Sequence, residues 1–222
     1  MIHIRQKVNE QNLRFYNNLT IDPFKLLAQI GGFDTYNDME IVFPYLHNSK
    51  SILEIGAGYG RCIEFLLSKK YLGDIIAVEQ SPKLATYLSH RYKNFAQIIE
   101  GNINSFHLNK TVDAAMWMWS GLIDFSYYEQ EESIKRISSM LSPGGLLIID
   151  VPLLGFKTIG YHEDEKNISF ETSYGNLKCF IPDVLDIQHY SKTANMELYQ
   201  QFVYLTSTEK KRKMYILKKL AA

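Results

Sequence analysis

The sequence predicts a doubly wound α/β fold, in which helices cover both faces of a largely parallel sheet. The first observation is residues 51–67, which form a short apolar strand, a glycine turn and a helix with one apolar stripe. The second is residues 74–78, a nearly continuous apolar run that is typical of a strand buried on both faces. Two further strands are predicted at 112–119 and 146–151, the second after a helical segment. Strands that alternate with helices favour an α/β architecture.

Length and composition indicate one globular protein. The chain has 222 residues, of which 46% are hydrophobic and 22% are charged, enough for one sizeable core. Basic and acidic residues number 24 each, which disfavours a large nucleic-acid surface. Cys62 and Cys179 suit neither a disulfide framework nor a metal site, so no metal is expected. The start lacks the long apolar stretch of a signal peptide and no window approaches about 18 apolar residues, so we expect a cytoplasmic protein without a membrane partner.

The glycine turn discriminates between cofactors. Glycine allows backbone angles that a Cβ forbids, and it lets a ligand reach the N–H groups at a helix start. A dinucleotide fingerprint, G-x-G-x-x-G, would place its third glycine at Arg61. Here glycines stand at 56, 58 and 60, and Glu54 precedes the first by two positions. This E-x-G-x-G pattern resembles motif I of the class I S-adenosylmethionine-dependent methyltransferases, whose loop cradles the methionine and ribose parts of the cofactor.

Later segments extend the resemblance over most of the chain from residue 50 onward. Glu79 ends the second predicted strand, where a carboxylate can accept hydrogen bonds from both ribose hydroxyls, although a solvated loop carboxylate is the alternative. The sequence LSPGG at 141–145 is similar to the family's turn before its fifth strand. The resemblance implies a Rossmann-like, seven-stranded mixed sheet, methyltransferase activity, and S-adenosyl-L-methionine as the cofactor.

The resemblance also implies which residues surround the cofactor. After the third strand the family often carries Gly-Asp and an apolar residue, and this chain has Asn102 and Ile103. An amide oxygen can still accept from the adenine amine, and Ile103 would pack against the ring. The implied cofactor-binding residues are Glu54, Gly56, Ala57, Gly58, Gly60, Arg61, Glu79, Gln80, Asn102, Ile103 and Trp117.

Two tryptophans mark the end of the strand predicted at 112–119. Trp117 and Trp119 are two positions apart and would share one face of an extended chain. Because the carboxyl ends of parallel strands face the ligand crevice, Trp119 and Ser120 are candidate substrate-pocket residues. An indole can wall off a cationic or planar substrate, but core packing is an equally good interpretation.

Residues 1–48 are predicted to form two or three small helices. Residues 22–23, Asp-Pro, indicate a helix start, residues 31–32 are a glycine stop, and Asp38 is a candidate cap for a further helix. In the family such an extension often packs over the cofactor as a lid. A helical cap on the sheet edge is the alternative. Tyr16 is a candidate pocket residue.

Residues 152–182 show no clear regular pattern and are predicted to be a substrate-recognition insertion within the methyltransferase domain, residues 49–222. Tyr161 is a candidate pocket residue. His162 and Glu163 could serve as a base and its orienting acid, with a solvated loop as the favoured alternative.

The C-terminal part predicts a last helix at 183–194 and an antiparallel hairpin formed by 196–206 and 213–220. These strands would close the seven-stranded sheet. The basic run at 210–213 lies in or beside the hairpin turn. We favour a solvated tip over a nucleic-acid patch for it.

The function predicted from these features is methyl transfer to an oxygen or nitrogen of a small-molecule acceptor. The compact size, the lack of an appended RNA- or peptide-binding module, and the aromatic pocket candidates favour a small molecule. Nucleic acid is disfavoured as a partner. The alternatives are a protein or RNA methyltransferase that docks through residues 210–213, and a non-catalytic subunit that binds the cofactor. No catalytic base is named, because a sulfonium is already a strong electrophile.

Overall fold

The computed structural model describes residues 8–154, 161–162 and 164–221. The helices are α1 Val8–Asn18, α2 Ile21–Gly31, α3 Asn37–Leu46, α4 Arg61–Ser68, α5 Pro82–Tyr92, α6 Tyr127–Met140 and α7 Val184–Thr193, with a short 3-10 helix at Gly121–Asp124. The strands are β1 Ser51–Ile55, β2 Asp74–Glu79, β3 Gln97–Glu100, β4 Val112–Trp117, β5 Leu141–Pro152, β6 Tyr161–His162, β7 Asn167–Thr172, β8 Gly175–Phe180, β9 Met196–Leu205 and β10 Lys211–Lys219.

Seven strands form one mixed sheet in the order β3-β2-β1-β4-β5-β10-β9. Strands β1 to β5 run parallel, and β10 is antiparallel to both of its neighbours. The predicted seven-stranded mixed sheet is therefore confirmed. The chain order reverses between β1 and β4, and this is the point of a doubly wound sheet at which ligands bind, beyond the carboxyl ends of the strands.

Helices cover both faces of this sheet because alternate strand residues point to opposite sides. Leu53 of β1 packs on one face with Ile134 of α6. Ile52, its neighbour in sequence, packs on the other face with Leu66 of α4 and Met39 of α3. Each face thus has its own buried core, and the doubly wound architecture follows. No helix in the described ranges is long and apolar enough to cross a membrane.

Local capping decides where two of the helices begin. Ser126 and Glu129 form a capping box that starts α6 at Tyr127. The Asp183 carboxylate accepts from the N–H groups of Leu185 and Asp186 and starts α7 close to its predicted position. Both helices pack on the same face of the sheet, which positions the loop that follows β4.

The N-terminal segment forms three helices, with two corrections to their predicted caps. Helix α2 begins at Ile21, one residue before the predicted cap Asp22. Asp38 lies inside the first turn of α3 and does not cap it, because its carboxylate is paired with Arg61. Gly32 ends α2 with φ 75°, a left-handed conformation that glycine adopts without strain, as predicted.

The region between β5 and α7 is more regular than predicted. In its described part, β6, β7 and β8 form an antiparallel sheet, so the expectation of no regular structure at 152–182 is wrong. Helix α1 packs on this small sheet. The Asn12 amide donates to the Lys178 carbonyl at 2.7 Å and accepts from the Lys178 N–H at 2.9 Å. The N-terminal helix and the insertion thus form a common wall above the large sheet.

The C-terminal hairpin of β9 and β10 forms as predicted, but its basic run is not a solvated tip. Arg212 is buried, and its guanidinium pairs with Asp150 at 2.6 Å. It also donates to the Ser120 hydroxyl at 2.6 Å. Strand β10 carries Arg212 inward because it is paired with β5, and Arg212 stands opposite Pro152, near the end of β5. The favoured interpretation of residues 210–213 is therefore wrong for Arg212.

Candidate active site

A cavity of about 470 Å³ lies where β1, β2 and β4 end, between the large sheet and the wall formed by α1, α2 and the insertion. Most of the predicted site residues line it. These are Tyr16, Glu54, Gly56, Ala57, Gly58, Arg61, Glu79, Gln80, Ile103, Trp117, Trp119 and Ser120. The structure thus gathers residues from both the predicted cofactor site and the predicted substrate pocket around one cavity.

The glycine turn has the backbone conformation that the sequence led us to expect. Gly56, Gly58 and Gly60 all have positive φ, at 67°, 59° and 89°. A Cβ on Gly58 would lie 3.0 Å from the ring of Phe24. Gly60 faces away from the cavity, and a Cβ there would overlap Tyr92 of α5. Gly60 therefore lets α4 and α5 pack closely and does not line the cavity, which corrects its predicted role.

Glu79 is fixed at the cavity wall by backbone donors. It is 4% exposed, its Oε2 accepts from the Gly58 N–H at 2.8 Å, and its Oε1 accepts from the Ser81 N–H at 2.8 Å. Burial raises the pKa of Glu79, and these N–H donors oppose that rise. Each carboxylate oxygen can accept a further hydrogen bond, so the group can still hold two hydroxyls.

Glu54 has an unsatisfied oxygen in the buried turn. Its Oε2 has no hydrogen-bond partner among the described residues, and burial raises its pKa to about 7. A buried acceptor without a partner is costly, and it is typical of a site that a ligand completes. An ammonium group, such as that of a methionine moiety, would supply both a donor and a charge. The carboxylates of Glu54 and Glu79 therefore fit the amino group and the ribose hydroxyls of S-adenosylmethionine.

The two tryptophans line different walls of the cavity. Strand β4 ends at Trp117, which is buried and meets Phe125 edge-on with ring centroids 5.1 Å apart. Trp119 is left-handed, with φ 47°, and packs against Phe24 and Phe33 of the N-terminal segment. The extended backbone required for a shared face stops at Trp117, so that part of the prediction is wrong.

Two further predicted residues do not lie in the cavity. The Asn102 amide is used within the protein, since it donates to Gln80 at 3.0 Å and to Asn9 at 2.5 Å, and accepts from the Asn104 N–H at 2.9 Å. It holds the loop after β3 in place. Tyr161 is 73% exposed and does not line the cavity. It belongs to β6, an edge strand of the small sheet.

The candidate pair His162 and Glu163 stays a prediction. Glu163 and the side chain of His162 lie outside the described residues.

Arg61 lines the cavity, but its charge is already satisfied. The guanidinium makes two bonds to Asp38, at 2.8 and 2.6 Å, and one to the Phe33 carbonyl at 3.2 Å. Burial alone disfavours the charged form, but the Asp38 carboxylate raises the pKa of Arg61. The guanidinium of Arg61 also lies over the Phe33 ring, 5.4 Å from its centroid, and that of Arg212 lies 5.1 Å from the same centroid. The buried ion pairs of Arg61 with Asp38 and of Arg212 with Asp150 thus place two guanidinium groups against Phe33, in the loop between α2 and α3.

One cluster at the cavity was not predicted. Asp124, at the end of the 3-10 helix after β4, is 7% exposed and lines the cavity. Its Oδ2 accepts from the Tyr16 hydroxyl at 2.5 Å, and the Cys179 thiol lies 3.9 Å from its Oδ1. Burial raises the pKa of Asp124 to about 7. An acidic residue inside the apolar run GLIDF, just beyond a strand end, was the sequence signal for it.

No group of three or more His, Cys, Asp or Glu side chains is arranged to hold a metal ion within the described residues.

The sheet order, the glycine turn and the buried carboxylates at the ends of β1 and β2 define an enzyme of the class I S-adenosylmethionine-dependent methyltransferases. Residues 52–145 match the family model described as a methyltransferase domain. The enzyme's cofactor is S-adenosyl-L-methionine. A search of curated protein sequences gives no significant match.

Solved structures with low sequence identity share the fold. The CcbJ methyltransferase from Streptomyces caelestis has 13% identity and a TM-score of 0.69, over 96% of this chain and 98% of that chain. The sugar N-methyltransferase KedS8 from Streptoalloteichus sp ATCC 53650 has 13% identity and a TM-score of 0.68, over 91% and 94%. CalS10, an amino pentose methyltransferase from Micromonospora echinaspora, has 14% identity and a TM-score of 0.66, over 90% and 98%.

Proposed function

We propose that this enzyme transfers the cofactor's methyl group to an oxygen or nitrogen of a small-molecule acceptor. The observation that carries the proposal is the shared cavity. It is lined at one end by the glycine turn and Glu79, and at the other by α1 and by Phe170 and Leu177 of the insertion. A cavity of about 470 Å³ suits a cofactor and a compact acceptor that meet inside the protein.

The cofactor assignment within the cavity follows from the hydrogen-bond acceptors and apolar groups that line it. Glu79 would hold the ribose hydroxyls, Glu54 the amino group of the methionine part, and Ile103 the adenine ring. Gly56 and Gly58 would let the ligand approach the turn. When bound, S-adenosylmethionine supplies a methyl group on an electrophilic sulfonium. This chain would hold the acceptor in line with that group and exclude water.

Several observations favour a small acceptor over a protein or RNA. The cavity wall comes from α1, α2 and the insertion, which cover the ends of the strands. Arg212, in the basic run that could dock a macromolecule, is buried in an ion pair with Asp150. KedS8 and CalS10, which share the fold, are described as sugar N- and amino pentose methyltransferases. The cytoplasmic location and the lid role of residues 1–48 stay predictions.

The first test is calorimetric titration of the purified protein with S-adenosylmethionine, S-adenosylhomocysteine and NAD in parallel. We expect the two adenosyl ligands to bind and NAD not to bind. If the adenosyl ligands bind but no low-molecular-weight acceptor is methylated, a non-catalytic role would be supported instead. Failure of both adenosyl ligands to bind would contradict the whole assignment.

The ribose assignment has its own test in Glu79→Gln. A charge-assisted hydrogen bond contributes about 1.5–3 kcal/mol, so the variant should bind S-adenosylhomocysteine at least about tenfold more weakly. Glu100→Gln is the matched control, because Glu100 stands opposite Glu79 in the neighbouring strand and is exposed. Equal affinities of the two variants would mean that Glu79 only braces the glycine turn.

A further inference from the structure

Asp124 is a buried carboxylate that none of the cofactor assignments uses. It follows β4, at the edge of the sheet where ligands bind, and its side chain lines the cavity. The walls around it are mainly apolar and aromatic, with Phe15, Ile123, Phe125 and Leu177 among them. A single carboxylate in such surroundings marks the position at which a polar group of the acceptor would be held.

The groups that face Asp124 leave its negative charge uncompensated. Tyr16 of α1 donates a hydrogen bond to it, Cys179 of β8 lies beside it, and Glu79 of β2 adds a second negative charge nearby. No lysine or arginine pairs with it within the described part of the chain. A buried carboxylate without a counter-ion is unfavourable, and a cationic ligand would relieve this cost. An alcohol could offer a hydrogen bond but no charge.

We propose that the acceptor is an apolar amine and that Asp124 binds its nitrogen and takes up the proton that the nitrogen loses. This inference rests on the proposed function and specifies its acceptor. The ammonium form of the amine gives one proton to the Asp124 carboxylate, and the nitrogen lone pair is then free. That pair forms the new N–CH₃ bond as the C–S bond breaks and its electrons remain on sulfur. The product is the methylated ammonium ion with S-adenosylhomocysteine.

Tyr16 is the positioning residue of this arrangement. Its hydroxyl donates to Asp124 Oδ2, and Oδ1, which has the Cys179 thiol 3.9 Å away, keeps the capacity to accept a further hydrogen bond from an N–H group. This hydrogen bond also lowers the pKa of Asp124 against the larger effect of burial. Loss of the hydroxyl should therefore move the ionisation of Asp124 to higher pH without emptying the cavity, because the aromatic ring stays.

The experiment measures binding to the S-adenosylhomocysteine-loaded protein by calorimetry. The probes are benzylamine and cyclohexylamine, each with its alcohol of the same shape, benzyl alcohol and cyclohexanol. At pH 8 both amines should bind at least about tenfold more tightly than their alcohols, as expected for a desolvated charge pair. Asp124→Asn should remove this preference and leave S-adenosylhomocysteine affinity unchanged. Asp74→Asn, an exposed aspartate at the other end of β2, is the matched control and should keep it.

Tyr16→Phe separates proton uptake from a merely structural role. In the native protein, amine affinity should rise between pH 6 and 8, as Asp124 ionises. In Tyr16→Phe the same rise should occur at higher pH, and in Asp124→Asn it should be absent. An unchanged profile in Tyr16→Phe, or a surviving rise in Asp124→Asn, would overturn the assignment of the titrating group.

Other outcomes decide between this inference and the proposed function. If the adenosyl ligands bind and the alcohols bind as tightly as the amines, the amine inference would be overturned and the methyltransferase site would stand. Adenosyl binding with neither amine nor alcohol binding would also overturn it. Absence of adenosyl binding would reject the proposed function itself, whatever the amines do.

Discussion

The two halves of the cavity are built in different ways. Around the glycine turn, a side chain is held by backbone donors from its own loop and from the loop beside it. Glu79 accepts from Ser81, two residues later, and from Gly58 on the adjacent loop. In the acceptor half, side chains from distant segments hold one another, since Tyr16 reaches Asp124 and Cys179 lies against the same carboxylate. Local geometry thus fixes the first half, and tertiary packing fixes the second.

The glycine-turn half would bind the cofactor, which all enzymes of the class share. The acceptor half would bind the acceptor, which differs between enzymes. Backbone N–H groups do not depend on the identity of the side chains, so side-chain substitutions leave this part of the cofactor site in place. The acceptor half is made of exchangeable side chains on α1, on the loop after β4 and on the insertion. Changes there would alter the acceptor without touching the cofactor, and the following predictions test this separation.

The largest expected effect concerns the buried ion pair between Arg61, in the helix that follows the glycine turn, and Asp38 of α3. Arg61→Met would leave the buried Asp38 carboxylate without its partner, and removal of one member of a buried pair costs about 3–5 kcal/mol. We expect a loss of this size in the free energy of unfolding, measured by urea denaturation.

Arg91→Met is the matched control for the Arg61 variant. The pair of Arg91 with Glu64 is exposed to solvent, and exposed pairs contribute about 0–1 kcal/mol. If both methionine variants lost the same small amount of stability, the attachment of α3 to α4 would not depend on the Arg61 ion pair.

The sequence predicted the first half far better than the second. One strand–turn–helix unit holds the glycines at 56 and 58, and the next strand ends at Glu79. Their spacing in the sequence therefore predicts where they lie in the fold. Asn102 shows the limit of this approach, because its amide is occupied by Asn9 of α1, a contact that no local pattern reveals.

The acceptor half was harder to predict because its contacts are non-local. Tyr16 and Asp124 are 108 residues apart, and only the fold brings them together. The insertion strands had a readable signal, since polar and apolar residues alternate at 167–170 and again at 176–179. The turn between them, residues 172–175, ends in a glycine with φ 135°. Short strands of this kind are easily masked by their polar surroundings.

The second prediction tests the backbone character of the cofactor half. Gly58→Ala should weaken S-adenosylhomocysteine binding by about a hundredfold, because φ 59° is strained for alanine and the new methyl group meets Phe24. Gly144→Ala is the control, since its φ is 78° but a Cβ there has no neighbour within 4 Å. Both variants should lose about 1 kcal/mol of stability. Only the first should lose affinity in calorimetry, and equal losses of affinity would indicate general strain.

The smallest expected effect is a pH dependence of stability that arises in the acceptor half. Burial raises the pKa of Asp124 from 3.8 to about 7, so the folded protein holds a proton that the unfolded chain releases. The stability that this proton contributes is complete below about pH 4 and is lost as the pH rises through 7. Asp124→Asn removes this loss and should make the ligand-free protein more stable at pH 8 relative to its effect at pH 4.

Glu54 titrates in the same direction and remains in the Asp124→Asn variant, so part of the native pH dependence should persist. Asp74→Asn is the control, because the exposed Asp74 should contribute little at either pH. Denaturant unfolding at pH 4, 6 and 8 gives the comparison. A native protein whose stability is flat over this range would mean that Asp124 is ionised throughout. The acceptor half would then obtain a compensating charge from the protein itself, and its need for a cationic ligand would disappear.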